Sequence, residues 1–265
     1  MQNSVTRNLN NDELFMIAIQ LSLPDLLNFC LTNQQTVKLC QTDRIWNYKL
    51  QKDFPEYAND FNNLSRSKPN KYKLLYALSI ISNIWKLKYN LVKLYDEWEI
   101  NLFGCQIKDI PKEIHYLRNL RGLDLENNQI EIIPKEIGQL HNLQHLYLEN
   151  NRIEIIPKEI GQLYNLQYLY LSNNKIEIIP TEVGQLYNLQ YLYLSNNKIE
   201  IIPEELGQLH NLQYLNLNNN KINIVPSELF KNNQLYNLKS LSLRDNKIKS
   251  IPTELSNLPN LKLYI

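Results

Sequence analysis

Gly161–Pro180 reads GQLYNLQYLYLSNNKIEIIP, and Gly184–Pro203 repeats it letter for letter 23 residues later. Working outward from this pair, the template L-x-x-L-x-L-x-x-N-x-I begins at Leu120, Leu143, Leu166, Leu189, Leu212 and Leu238. Its asparagines are Asn128, Asn151, Asn174, Asn197, Asn220 and Asn246. The spacings are 23, 23, 23, 23 and 26, the last stretched near residues 231–235. A degenerate copy precedes them, with Ile100, Leu102, Cys105 and Ile107 in the matching places, and a truncated one follows with Leu258, Leu261 and Tyr264. A fixed period of 20–50 residues is the signature of a stacked architecture, in which each repeat buries its apolar face only against its neighbours.

The chemistry of the repeat agrees. In L-x-L the leucines point one way and the intervening residue the other, as in a short strand. The leucines and isoleucines are therefore expected to form one continuous internal stack. The asparagine is expected to leave the strand, turn inward and pair its amide with backbone groups at the bend. Pro134, Pro157, Pro180, Pro203, Pro226 and Pro252 then stop the strand. Two residues later come Glu136, Glu159, Glu182, Glu205, Glu228 and Glu254, placed to meet the positive end of a helical turn. Gly138, Gly161, Gly184 and Gly207 are expected to relax that turn.

This sequence resembles the leucine-rich repeat family, in its short intracellular class with IPxEIGxLxNL between strands. The resemblance covers residues 95–265. It implies an α/β fold, a right-handed solenoid with short parallel strands lining a concave face.

Residues 1–94 carry no such repeat and read as helices. Leu14, Ile17, Ala18 and Leu21 share one helical face, with Asn11 or Asp12 as cap. Pro24 suits the first turn of a second helix carrying Leu26 and Leu27, and Trp46 and Leu50 share a face of a third. The order Glu13-Leu14, Leu21, Pro24-Asp25-Leu26-Leu27, Asp43, Ile45-Trp46, Leu50, Phe54-Pro55 resembles an F-box, a small all-α module that docks on the Skp-type adaptor of cullin–RING ubiquitin ligases. The sequence departs from that family in having Leu9-Asn10 where Leu-Pro is usual. The resemblance assigns residues 8–55 to this module and implies Leu14, Ile17, Leu21, Pro24, Leu26, Leu27 and Trp46 as its adaptor-binding set. The competing reading is a helical cap on the solenoid with no adaptor. Residues 56–94 form the link: a polar loop over residues 56–70, then one long helix from Lys71 to Tyr95, expected to bury the first repeat and join the two modules rigidly.

The concave face would be made by residues between the leucines. Two neighbouring tyrosine columns arise there, Tyr147, Tyr170, Tyr193 and Tyr168, Tyr191, Tyr214. Strands lie about 4.8 Å apart, so these rings form one patch of several hundred Å², roughly. Tyrosine anchors protein interfaces because it is large, stiff and hydrogen-bonding. Asp124, Glu126 and Glu149 lie at one edge, and Lys239 and Arg244 at the other, which suits a partner segment with its basic end toward Asp124.

Several classes of function are disfavoured. The charge is +1, from 28 basic and 27 acidic residues, so no global field draws the chain to nucleic acid or membrane. No run of 18 apolar residues occurs, and Met1–Asn11 lacks the apolar core of a signal peptide. Cys30, Cys40 and Cys105 lack metal-ligand spacing and are too few for a disulfide framework. Cys30 and Cys40 read as packing residues in a reducing, cytoplasmic setting. His115, His141, His145 and His210 have no acid–base or nucleophile partner in the pattern. No catalytic residue, metal site or cofactor is expected, and the chain stops inside the repeats at Ile265, leaving no catalytic domain behind them. Asn fills 38 positions; with Ile and Lys richness this points to an AT-rich genome, such as that of a protist or a large DNA virus. The sequence thus reads as a protein-interaction adaptor: a substrate-recognition subunit of a cullin–RING ligase, or a non-catalytic scaffold for a small GTPase or phosphatase.

Overall fold

One period of sequence closes one coil of chain. The computed structural model describes residues 9–57, 68–87, 90–232, 234–258 and 260–265. They fall into two compact units, one up to Ser79 and one from Ile80 onward.

In the second unit eight three-residue strands form one parallel sheet in chain order. They are β1 (Glu99–Asn101), β2 (Gly122–Asp124), β3 (His145–Tyr147), β4 (Tyr168–Tyr170), β5 (Tyr191–Tyr193), β6 (Tyr214–Asn216), β7 (Ser240–Ser242) and β8 (Lys262–Tyr264). Each strand alternates, its central Leu or Ile inward and its flanking residues outward. The inward column Ile100, Leu123, Leu146, Leu169, Leu192, Leu215 and Leu241 is buried throughout.

Each repeat asparagine ties its own coil to the one before. The Asn151 amide nitrogen donates to the carbonyls of Leu125 on the coil before and Leu148 on its own, at 2.9 and 3.1 Å. Its oxygen accepts from the Ile130 amide at 2.9 Å. Asn128, Asn174, Asn197, Asn220 and Asn246 repeat the pattern. Two further columns of asparagine recur with the same period. Asn127, Asn150, Asn173, Asn196 and Asn219, one residue earlier, take positive φ, the left-handed conformation that asparagine tolerates better than most residues. Asn119, Asn142, Asn165, Asn188, Asn211 and Asn237 each donate to a backbone carbonyl of the coil before.

The far side of each coil is a short 3₁₀ turn opened by its proline, such as Lys158–Gln162 after Pro157, with the glutamate in its first turn. The glycines serve a different purpose from the expected one. Their φ is ordinary, but the neighbouring coil passes so close that a Cβ on Gly161 would sit 2.5 Å from the Glu182 carbonyl oxygen. Three other expectations are corrected. The isoleucines are not all internal: Ile132, Ile155, Ile178, Ile201 and Ile224 face solvent while the residue after each, Ile133, Ile156, Ile179, Ile202 and Val225, is buried, because successive side chains of extended backbone point to opposite sides. Leu263, not Tyr264, stands opposite Leu241, and Tyr264 stands opposite Ser242. The slip of one residue puts the aliphatic chain toward the core and the phenol outward. The helix expected from Lys71 to Tyr95 is two helices, α5 (Lys68–Ile84) and α6 (Leu91–Asp96), broken where Lys86 takes a φ of 51°. Within the second unit, the end of α5 packs on the first coil: Trp85 is buried and donates its indole N–H to the Asp109 carbonyl at 3.1 Å.

The first unit begins with four short helices, α1 (Asn11–Ala18), α2 (Leu23–Phe29), α3 (Gln34–Gln41) and α4 (Asp43–Asp53). Asn10, rather than Asn11 or Asp12, caps α1, in a reciprocal box with Glu13. Its buried face is Leu14, Phe15 and Ala18, while Ile17 is exposed. The sequence reading did not anticipate α3, capped by Asn33. That helix brings Cys40 to Cys30 with their Cα atoms 5.8 Å apart, and the two form a disulfide, which corrects their reading as packing thiols. Of the loop expected over residues 56–70, residues 55–57 form a 3₁₀ turn, helix α5 already starts at Lys68, and residues 58–67 lie outside the described residues.

The close approach at the glycines yields a first test. Gly161→Ala must push two backbones apart, and its urea unfolding curve should show a loss of about 1–3 kcal/mol. Ala at the exposed neighbour Gln162 should leave stability within about 0.5 kcal/mol.

Candidate functional site

Strand register decides which outward residues meet. His145, Tyr168, Tyr191 and Tyr214 are successive partners across β3 to β6, and so are Tyr147, Tyr170 and Tyr193 across β3 to β5. Parallel strands in register bring each ring over the next at the inter-strand spacing. Tyr168 and Tyr191 stack at 4.6 Å and 8° between planes, Tyr191 and Tyr214 at 4.7 Å and 7°, and Tyr170 and Tyr193 at 4.6 Å and 9°. His145 closes one column edge-on against Tyr168 at 4.8 Å, and Tyr147 tilts against Tyr170 at 5.1 Å. Edge-to-face contacts between Tyr168 and Tyr170 and between Tyr191 and Tyr193 join the columns. The rings are half-buried, and their ring contacts are with one another and with His145. The result is a stiff aromatic floor with each ring held by its neighbours.

Asp124, Glu126 and Glu149 sit at the edge of this floor nearer the N-terminus. Asp124 Oδ1 accepts from the Glu126 amide at 3.0 Å, and Glu126 Oε1 accepts from the Asn127 and Asn150 side chains at 3.3 Å each. Glu149 differs: its Oε2 is buried and accepts no hydrogen bond. Burial first, and then the charges of Glu126 and Asp124, push this carboxyl up to about 7. The same environment raises the phenols: burial, Tyr193 and Tyr147 act on Tyr170, and burial, Tyr168 and Asp124 on Tyr147. At the opposite edge the Arg244 guanidinium lies 5.1 Å over the ring of Tyr264, and Lys239 donates to Gln213 Oε1 at 2.8 Å. Every concave residue singled out in the sequence therefore lands on one face. His145 and Tyr264 belong to it as well, and the 23-residue period marked His145 while the slip in β8 concealed Tyr264.

The other predicted set does not converge in the same way. Leu14, Leu26 and Trp46 are core, with Trp46 donating its indole N–H to the Cys40 carbonyl at 2.7 Å. Leu21 and Leu27 are partly covered, and only Ile17 and Pro24 are exposed. Met16 and Leu31 add exposed apolar surface that the pattern did not flag. Lys49 is buried in this unit, paired with Asp53 at 2.8 Å and donating to the Leu21 carbonyl at 3.1 Å. Among the described residues, no three or more His, Cys, Asp or Glu gather where they could hold a metal ion, and no helix is long and apolar enough to cross a membrane.

The profile of the leucine-rich repeat region matches residues 75–169 and 154–264. Among solved structures the chain is similar to a leucine-rich repeat protein of Leptospira interrogans, at 39% identity and a TM-score of 0.48, over 63% of this chain and 48% of that one. It is similar to the leucine-rich repeat ectodomain of the plant membrane receptor kinase GASSHO1/SCHENGEN3 from Arabidopsis thaliana, solved in complex with CASPARIAN STRIP INTEGRITY FACTOR 2, at 34% identity and a TM-score of 0.55, over 60% and 20%. It is also similar to an internalin of Listeria monocytogenes, at 27% identity and a TM-score of 0.59, over 71% and 54%. The chain thus spans about half or less of these solved chains. No curated protein matches it.

Glu149 supplies a stability test. Its carboxyl binds a proton more readily folded than unfolded, so it contributes most at low pH and costs stability as pH rises from the usual glutamate range through about 7. Urea midpoints at pH 5 and pH 8 should show a loss in the parent that Glu149→Gln escapes. The expected difference is about 1 kcal/mol, allowing for solvent screening of a half-exposed group.

Proposed function

The chain belongs to the leucine-rich repeat family, and from that we propose that it is a non-catalytic protein-binding module whose contact surface is the tyrosine-floored concave face. The observation that carries this reading is the stacked ladder from Tyr168 to Tyr214 beside that of Tyr147 to Tyr193. The rings are held in place before any partner arrives, so little side-chain freedom is lost on binding. Rigid aromatic anchors are the side chains that dominate interface energies. The plant receptor ectodomain, solved in complex with CASPARIAN STRIP INTEGRITY FACTOR 2, supports reading these repeats as a binding module. The partner should bring a basic group to Glu149, because a cation there relieves both the unpaired buried oxygen and its repulsion by Glu126 and Asp124.

The helical unit carries the finer reading, an F-box-like module that makes the chain a substrate receptor of a cullin–RING ligase. The three expected helices, present in order as α1, α2 and α4, with Met16, Ile17 and Leu31 exposed, favour it. Its contribution to ubiquitin transfer would be proximity, holding target and ligase on one chain. The Cys30–Cys40 bond weighs against it, since disulfides are rare in the reducing cytosol where such ligases work. The scaffold reading needs no adaptor and is indifferent to the disulfide.

Tyr170→Ala with Tyr193→Ala should reduce retention of a co-purifying protein at least tenfold while leaving the circular dichroism unchanged; undiminished retention would remove the concave face as the contact surface. Retention should also weaken as pH falls through about 7 and Glu149 takes up a proton. For the helical unit, co-purification of a Skp-type adaptor that is lost in Ile17→Asp supports the ligase reading. Its absence from the parent chain leaves the scaffold. Ile17 is the residue to change because Leu26→Asp or Trp46→Ala would disrupt the core itself.

A further inference from the structure

A second surface of the repeats lies outside the concave face. Ile132, Ile155, Ile178, Ile201 and Ile224 form a row, each 67–74% exposed. Parallel bridges between Ile132 and Ile155 and between Ile201 and Ile224 keep neighbouring coils in step here too. Between successive isoleucines lie grooves floored by Ile156, Ile179, Pro180 and Pro203, of about 430 Å³ between Ile155 and Ile178 and about 580 Å³ between Ile178 and Ile201. The row is therefore a line of apolar knobs alternating with apolar holes. Soluble proteins seldom leave so continuous an apolar line uncovered.

We propose that this isoleucine row is the interface of a two-fold dimer of the chain. What selects a second copy as the occupant is pitch. The knobs recur at the strand spacing of about 4.8 Å. An extended partner strand places same-side residues about 6.6–6.8 Å apart, and an α-helix advances about 5.4 Å per turn. Both lose step along five coils, whereas a second copy has the same pitch and stays in step with the row from end to end. A two-fold axis crossing the row runs the copies antiparallel. The axis then passes by Ile178, with Ile155 facing Ile201 of the second copy and Ile132 facing Ile224. The charges agree with this arrangement. Glu131, Glu154, Glu177 and Glu200 bridge to Arg152, Lys175, Lys198 and Lys221 on the next coil at 3.5–3.9 Å. Alternating signs leave no block of like charge to repel a copy of itself, and the reversed order sets the acidic start of one ladder by the basic end of the other. The area is adequate as well: five isoleucines with their flanking rows offer on the order of 600–800 Å² per copy, near the ~800 Å² per partner of a standard interface.

The test is sedimentation velocity of the full chain at tens of micromolar, for the parent, Ile178→Glu and Ile155→Glu/Ile201→Glu. The parent is expected to sediment as a dimer. Each Glu variant is expected to raise the dimer dissociation constant at least a hundredfold with unchanged circular dichroism and melting, since the side chains replaced are exposed in the single chain. The Tyr170→Ala/Tyr193→Ala variant is expected to stay dimeric, which separates this interface from the concave face. A monomeric parent overturns the proposal. So does a dimer that survives both Glu variants, or one that dissolves when the tyrosines are replaced.

Discussion

The amide of one asparagine per coil is the constraint on which the rest depends. A coil that turns out of a strand leaves backbone carbonyls and amides facing an apolar interior, where an unpaired group costs about 1–3 kcal/mol. Asn128, Asn151, Asn174, Asn197, Asn220 and Asn246 meet that cost by donating and accepting across adjacent coils. A leucine in the same place would add apolar contact and strand several polar groups, so the interior is aliphatic except along this line. Cys105 takes the place in the first coil, and its thiol reaches the Phe103 carbonyl at 3.6 Å. That coil lies at the end of the stack, where Trp85 packs against it.

Holding the coils at strand spacing has consequences on both flanks. On the concave side it converts identical residues in successive repeats into stacked rings, whose separations of 4.6–4.7 Å follow the sheet. It also brings like charges together. Asp124, Glu126 and Glu149 come from two neighbouring coils, and the carboxyl with a buried oxygen left without a donor is the one pushed up to about 7. On the other flank the same spacing aligns Glu–Lys pairs into a ladder and leaves isoleucines between them. Surface ion pairs of this kind add little stability each. Regularity, which comes without energetic cost from duplicated sequence, is what turns single residues into surfaces.

The helical unit obeys different rules. Its helices are short, of 7 to 11 residues in α1 to α4, and helices of that length depend on caps and packing. Asn10, Ser22 and Asn33 supply the caps, Trp46 and Ile45 the centre of the core, and the Cys30–Cys40 bond a covalent tie between α2 and α3. Residues that an apolar pattern marks as notable, such as Leu26 and Trp46, are notable here because they hold the unit together. Surface chemistry falls to Ile17, Pro24, Met16 and Leu31.

The amino-acid order alone determined the repeat, its strands, the inward leucines, the asparagine ladder and the composition of the concave face, because a 23-residue period is a local property that every copy restates. It singled out Asn174 as the residue that bridges coils but gave no role to Asn173, which turns the chain left-handed. Nor could it show that Gly161 is demanded by a backbone on the next coil, that Ile178 faces water between two buried isoleucines, that α3 brings two cysteines together, or that β8 slips by one residue. Each of these depends on atoms distant in sequence and adjacent in space. Only the stacking of one coil on another decides which groups are crowded, which are paired and which are left open.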